Sequence, residues 1–188
     1  MLYDEIKPNL RIHKSVYKPL EDARMMGKCI EEHAFGKMLD MGCGTGIQGI
    51  IGAFRGCDVT FADINRNAIE CAKENAKLNR VKGRFIVSDL FSSIKGKFNT
   101  IAFNPPFLST KALETGKTNP ATDGGINGRE IIDVFLNNYK KYVMKDHVVL
   151  MTESYWNDFH SDVKRLHAEI AARKHYPLLG DCVVLKFR

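Results

Sequence analysis

Short apolar runs alternate with amphipathic stretches along most of the chain. The runs at 37–43, 57–62, 84–88, 100–103 and 147–152 have the length of buried strands in a parallel sheet, too short for core helices. Between them, apolar residues recur at spacings of three and four. A helix is predicted over 20–34, with Ala23, Met26, Ile30 and Ala34 on one face, and another over 47–54. The next runs from a cap at Asn65 or Asn67 to about Leu78, with Ala68, Ile69, Ala72 and Ala76 inward and Lys73, Glu74 and Lys77 in solvent. Helical spacing returns over 128–143 and, in more polar form, over 155–171. A closing pair of strands, 173–176 and 182–188, flanks a turn at Pro177 and Gly180. Residues 1–19 lack a clear period. Pro19 disfavours helix at Lys18 and suits the first turn of the helix that follows, where Glu21 and Asp22 favour the dipole. The stretch 108–127 is rich in Thr, Gly, Asn, Asp and Pro and is long for a loop in a compact domain, which marks it as functional or disordered.

Strands alternating with helices imply right-handed crossovers and a mostly parallel sheet. The last two strands are joined too tightly for a crossover helix, so they are antiparallel to each other. The expected fold is α/β and Rossmann-like: a seven-stranded, mostly parallel sheet with one antiparallel strand near the C-terminus and helices on both faces. A chain of 188 residues suits one domain, with 1–36 as an N-terminal segment and helix and 37–188 as the core. No apolar run approaches a membrane span, and the first twenty residues lack the apolar stretch of a signal peptide, so a cytoplasmic location without membrane contact is expected.

The five cysteines are scattered without Cys-x-x-Cys spacing, and the six histidines form no ligand pattern. Neither a disulfide framework nor a metal site is expected; the cysteines suit a reduced interior. The net charge of +6 is compatible with an acidic partner such as RNA, but the basic residues are spread out, with no run beyond pairs such as Lys140-Lys141.

The chemistry concentrates at strand ends. Asp40-x-Gly42-x-Gly44-x-Gly46 follows the first strand, and its glycines let the backbone pass close to a ligand. Asp40, just before the turn, is placed to meet an ammonium group. Asp63 ends the second strand, where a carboxylate accepts hydrogen bonds from ribose hydroxyls; Ile64 beside it covers a face of adenine, and Asp89-Leu90 contacts the adenine edge. These features serve S-adenosylmethionine or NAD equally, because Gly44-x-Gly46-x-x-Gly49 also matches a dinucleotide fingerprint. Asn104-Pro105-Pro106-Phe107, after the fourth strand, discriminates. A planar NH₂ nitrogen has a delocalised lone pair and is a poor nucleophile. Acceptors at its two N–H groups, the Asn104 side-chain oxygen and the Pro105 carbonyl, orient it and favour its pyramidalisation. Pro106 stiffens the turn and Phe107 stacks on the planar group. The pairing points to methyl transfer from S-adenosylmethionine to an amide or exocyclic amine, with Asn104 and Pro105 catalytic. On this reading Asn104→Asp, which keeps an acceptor oxygen, retains more activity than Asn104→Ala. An NAD-dependent oxidoreductase is the remote alternative and leaves this motif idle.

From Val16 to Arg188 the chain resembles the HemK-like class I methyltransferases, and within them the short archaeal and eukaryal branch. The resemblance rests on Val16-Tyr17-Lys18-Pro19-Leu20-Glu21-Asp22, the glycine motif, Asp63-Ile64-Asn65, Asp89-Leu90-Phe91, Asn104-Pro105-Pro106-Phe107 and Gly124-Gly125-Ile126-Asn127-Gly128-Arg129-Glu130. It implies methylation of the glutamine N5 of a peptide-chain release factor. Cofactor contacts then fall to Tyr17, Pro19, Asp40, Gly42, Gly44, Gly46, Asp63, Ile64, Asp89, Leu90 and Asn104, and substrate contacts to Asn104, Pro105, Pro106 and Phe107. Methylation of adenine or guanine in RNA or DNA is the alternative, since it shares the same four-residue chemistry. Phe107 replaces the family's frequent Tyr. The resembling branch also works with a small zinc-binding activator, which makes such a partner an expectation here.

Overall fold

The computed structural model describes residues 1–109, 122–177 and 180–188. The chain runs α1 (Leu2–Ile6), α2 (Glu21–His33), β1 (Lys37–Met41), α3 (Ile47–Phe54), β2 (Asp58–Asp63), α4 (Arg66–Leu78), β3 (Arg84–Val87), β4 (Phe98–Phe103), α5 (Glu130–Asn138), β5 (Val143–Ser154), α6 (Phe159–Leu166), β6 (Glu169–Tyr176) and β7 (Gly180–Phe187). The strands form one seven-stranded sheet in the order β3-β2-β1-β4-β5-β7-β6. β1 to β5 are parallel to one another, and β7 runs antiparallel to both β5 and β6. The expected α/β class and the reversed C-terminal strand are therefore present.

Two apolar layers cover the sheet. On one face Met26 and Ile30 of α2 pack over Val148, Leu150 and Val184, and Ile50 and Ile51 of α3 with Ile69 and Ala72 of α4 pack over Met38, Val59 and Phe61. On the other, Ile132 and Phe135 of α5 and Phe159 of α6 pack on Leu39, Ile101, Phe103, Val149 and Leu185. Alternate residues of each strand feed opposite faces, so the central strands are buried on both faces.

The chain order reverses between β1 and β4, which sit side by side. At such a switch point the connections leave in opposite directions and open a crevice beyond the strand ends. Residues 42–46 and 104–107 occupy that crevice.

Three expectations need correction. The stretch 1–19 holds a short helix, α1, whose Tyr3 and Ile6 are buried. Five residues are too few for a period to register. The helix expected over 155–171 is a single 3₁₀ turn, Tyr155–Asn157, followed by α6, which stops at Leu166. His167 takes a left-handed conformation at φ 51°, and the chain enters β6, with Ile170 opposite Leu185 and Ala172 opposite Val184. Pairing with β7 there overrides the helical spacing. The helix expected over 128–143 begins at Glu130, after Gly128 at φ 67°, and ends as a 3₁₀ turn at Tyr139–Lys141; β5 then starts at Val143. Most of the 108–127 loop lies outside the described residues. Its two ends are pinned together: Leu108 N–H donates to the Thr122 carbonyl and Gly124 N–H to the Leu108 carbonyl.

Candidate active site

Two cavities open at the carboxyl ends of the parallel strands and share Tyr17 and Asn104. The larger, about 610 Å³, is bounded by the β1 turn (Gly42, Cys43, Gly44, Thr45), the β2 end (Asp63, Ile64) and the β3 end (Asp89, Leu90), with Pro19 and Gln48 beside them. The smaller, about 470 Å³, is lined by Leu20, Phe107, Leu108, Trp156 and Tyr176, with Pro105 and Asp22 within it.

The β1 turn folds as it does because Gly42, Gly44 and Gly46 all have positive φ, 63°, 52° and 80°. At Gly46 a Cβ would also lie 3.0 Å from the Ala72 Cβ, so α3 and α4 approach closely only with glycine there. The turn is held from below. Asp40, 2% exposed, accepts the Gly49 N–H at 2.8 Å through Oδ2, within the first turn of α3. Burial pushes its carboxyl up to about 7, against the Gly49 hydrogen bond, which favours the charged form. Asp40 therefore lies beneath the turn and not on the cavity wall, where an ammonium partner was expected; Gly46 is likewise behind the wall. Asp63 does reach the cavity. Its Oδ2 accepts the Gly44 N–H at 2.9 Å and its Oδ1 the Asn65 N–H at 2.8 Å, leaving one lone pair on each oxygen for a ligand. Burial raises its pKa. Asn65 caps α4, accepting the Asn67 N–H at 2.9 Å. Ile64 is 67% exposed over the cavity mouth, and Leu90, at φ 42°, and exposed Asp89 form the far rim.

Asn104 follows β4 at the junction of the two cavities. Its Nδ2 donates to Asp22 Oδ2 at 2.7 Å, and Asp22 Oδ1 accepts the Tyr17 hydroxyl, also at 2.7 Å. Burial and the Asp22 charge push the Tyr17 phenol far up, so Tyr17 stays a donor. With its nitrogen committed to Asp22, Asn104 presents Oδ1 as a buried acceptor that finds no partner among the described residues. Leaving an acceptor buried and unpaired costs about 1–3 kcal/mol, and such atoms in a cavity wall mark where a ligand donor belongs. Pro105 and Phe107 face the smaller cavity, whereas Pro106 faces the larger one.

Behind Phe107 lies a polar staple. Asn157, 0% exposed, donates from Nδ2 to the carbonyls of Phe107 at 2.9 Å and Gly128 at 3.0 Å, while its Oδ1 accepts from Ser154 N–H and Oγ. Arg129 donates to the Asn157 carbonyl and pairs with Asp133 at 2.6 Å and Asp162 at 2.8 Å; the buried Glu153 is 3.7 Å away. Burial and the Asp162 charge push Glu153 well above the carboxylate range. The stretch 124–130 is thereby locked to the end of β5 and to the strand-end turn at 104–107.

Asp22, Gln48, Asn157 and the ion-pair role of Arg129 were not legible as site residues. Asp22 carried a signal, its place in the 16–22 stretch, but its position in a helix's first turn explained it sufficiently. Ser154-x-x-Asn157 resembles a capping box, which points to local structure only. Among the described residues no group of His, Cys, Asp or Glu could hold a metal, and no helix is long and apolar enough to cross a membrane.

Comparison with known proteins bears on this arrangement. The model of the methyltransferase small domain matches residues 21–119. A Methanocaldococcus jannaschii protein, provisionally named a protein N5-glutamine methyltransferase, is 38% identical over 176 residues, 89% of each chain. The Haemophilus influenzae ribosomal RNA small subunit methyltransferase C is 40% identical over 80 residues, 42% of this chain but 24% of its own length. Among solved structures, Mtq2 from the E. cuniculi Mtq2–Trm112 complex, responsible for methylating the termination factor eRF1, superposes with a TM-score of 0.71 at 22% identity, covering 93% of this chain and 98% of that one. The T. thermophilus 16S rRNA N2 G1207 methyltransferase, solved with AdoMet and guanosine, gives 0.65 at 14% identity over 89% of this chain and 42% of its own.

Proposed function

We propose, for a chain that belongs to the methyltransferase small domain family, that its acceptor is the side-chain amide nitrogen of a glutamine in a protein, the N5 position. S-adenosylmethionine is the methyl donor and supplies an electrophilic methyl group when bound. The larger cavity fits it: a glycine turn without side chains in the way, a carboxylate with free lone pairs at the β2 end, an apolar cover in Ile64, and an unpaired acceptor on Gln48.

The observation that carries the proposal is the unpaired Asn104 Oδ1 where the two cavities meet. An amide NH₂ entering through the smaller cavity brings two donors to this point. Asn104 Oδ1 accepts one and the Pro105 carbonyl the other. Both bonds strengthen as the nitrogen gains positive charge, so they lower the barrier instead of merely binding substrate. Asp22 holds the Asn104 amide in the orientation this needs and, through the Nδ2–H bond, makes Oδ1 a stronger acceptor. Leu20, Phe107 and Trp156 line the smaller cavity with apolar surface, from which an entering side chain displaces water.

The protein acceptor is favoured by extent of similarity. The M. jannaschii relative matches along nearly its whole length, whereas the ribosomal RNA enzyme matches over a quarter of its own. A release factor is the substrate to try first, since eRF1 is that of the Mtq2 complex. The same complex supports a small activator partner for this chain, which by the resemblance of its branch binds zinc.

Transfer of radiolabelled methyl from S-adenosylmethionine, tested side by side on release factor and bulk RNA, with and without such an activator, decides the acceptor. Label on a glutamine of the protein is expected. Label in RNA alone would move the assignment to an exocyclic amine of a base, and binding of NAD in preference to S-adenosylmethionine would remove methyl transfer altogether.

A further inference from the structure

Gln48 is an unexplained polar residue. It sits in the first turn of α3, is 6% exposed, and lines the larger cavity. Its Nε2 donates to the Ala23 carbonyl of α2 at 2.8 Å, which fixes the amide: the nitrogen is spoken for and Oε1 is left as an acceptor. Oε1 is buried and has no partner among the described residues. A core position would be served better by leucine or methionine, so the unpaired oxygen implies a donor that arrives with a ligand.

We propose that Gln48 Oε1 accepts a hydrogen bond from the α-ammonium of the amino-acid tail of S-adenosylmethionine, the role that position in the motif had suggested for Asp40. The inference rests on the cofactor reading above. That molecule carries donors in three places only: the adenine amine, the ribose hydroxyls and the ammonium. Asp63, Ile64, Asp89 and Leu90 place the adenine and ribose at the ends of β2 and β3. The reactive methyl must face Asn104, at the end of β4. The amino-acid tail therefore extends toward α2 and the start of α3, where Ala23 and Gln48 line the wall together. Asp40, the carboxylate nearest in sequence, has turned under the loop to Gly49 and does not line this cavity. A second unpaired oxygen in the same wall, Thr45 Oγ1, marks this end of the cavity as awaiting polar groups.

The test is a binding cycle read by calorimetry, without turnover. S-adenosylhomocysteine and its analogue lacking the α-amino group are titrated into the wild type and into Gln48→Met, which keeps the length of the side chain but not its oxygen. Gln48→Ala repeats the cycle, and melting temperatures report whether each variant is folded. The wild type is expected to bind the desamino analogue at least tenfold more weakly. Each folded variant is expected to lose about tenfold for S-adenosylhomocysteine and to discriminate between the two ligands by less than threefold. Discrimination in the variants equal to that of the wild type would overturn the assignment, as would equal losses for both ligands. Wild-type protein that binds neither ligand would sink the cofactor reading itself, an outcome distinct from the others.

Discussion

The Asn104 amide and the Asp22 carboxylate meet at 2.7 Å across 82 positions of sequence, Nδ2 donating to Oδ2. This contact decides which end of the amide faces the cavities. Without it, nitrogen and oxygen would exchange by a rotation, and half of the resulting states would present a donor to a substrate that is itself a donor.

Asn104→Ala is expected to lower single-turnover methyl transfer by on the order of 10²–10³, the scale for loss of one preorganised group at a reacting centre. The dissociation constant of S-adenosylmethionine should stay within about threefold, well under the 1.4 kcal/mol of a tenfold change. Wild-type transfer by this variant would remove Asn104 from the reaction. Asn104→Asp reverses the expectation drawn from sequence. A carboxylate there would face the Asp22 carboxylate at hydrogen-bond distance, and the repulsion displaces the acceptor. Asn104→Asp should be no better than Asn104→Ala at neutral pH.

Asp22 acts through Asn104, so its substitution divides by geometry. Asp22→Ala frees the amide and should lower kcat by about tenfold or more, since one hydrogen bond to a charged group is worth about 1.5–3 kcal/mol. In Asp22→Asn an amide oxygen still accepts from Asn104, and most of kcat should return. If both variants fell equally, with cofactor affinity, Asp22 would be a structural residue only. In the Asn104→Ala background, Asp22→Ala should cost little more, because the group it orients is gone.

Asp63→Ala should weaken S-adenosylmethionine binding by roughly 1.5–3 kcal/mol. The side chain also holds the Gly44 N–H, so part of that loss comes from a loosened turn. Asp63→Asn keeps an acceptor for Gly44 and should lose less. An unchanged dissociation constant for Asp63→Ala in calorimetry would take the residue out of the site.

The buried Asp40 gives stability a pH dependence with a definite sign. Its ordinary value is 3.8 and burial raises it to about 7. Between those values the unfolded chain releases a proton that the folded protein retains. This contribution to stability is complete below about pH 4, falls as pH rises, and is gone above about pH 7. Denaturant midpoints of Asp40→Asn should lose that component of slope, since the amide oxygen accepts the Gly49 N–H without ever ionising. An Asp40→Asn profile that parallels the wild type from pH 4 to 7 would mean the proton is not bound there.

Arg129→Ala strips the cation from between Asp133, Asp162 and Glu153. Removing one partner of a buried ion group costs on the order of 3–5 kcal/mol. Part of that should be regained at low pH, where the orphaned carboxylates protonate. A loss of less than about 1 kcal/mol in chemical denaturation, the scale of an exposed pair, would mean that the cluster is solvated.

The hydrophobic pattern by itself placed β1 and β2 to within two residues and the helix at 47–54, because strand and helix periods are written in neighbours two to four positions apart; the structure chose Asn65 over Asn67 as the cap of α4. The glycine turn and Asn104-Pro105-Pro106 were legible for the same reason: each puts its chemistry in consecutive residues at a strand end. What only the tertiary structure decided involves partners brought together by strand order. The packing of α2 across β5, β7 and β6 brings its first turn to the end of β4, and so joins Asp22 to Asn104. The packing of α3 beneath the β1 turn draws Asp40 to Gly49, and the packing of α3 on α2 gives Gln48 the Ala23 carbonyl. The pairing of β6 with β7 ends α6 at Leu166, where spacing alone would have carried it on. A carboxylate before a glycine turn has the same sequence context whether it faces a ligand or a helix N-terminus. Only the arrangement of the helices around it separates the two, because the choice is set by which unpaired N–H lies within 3 Å of its oxygens.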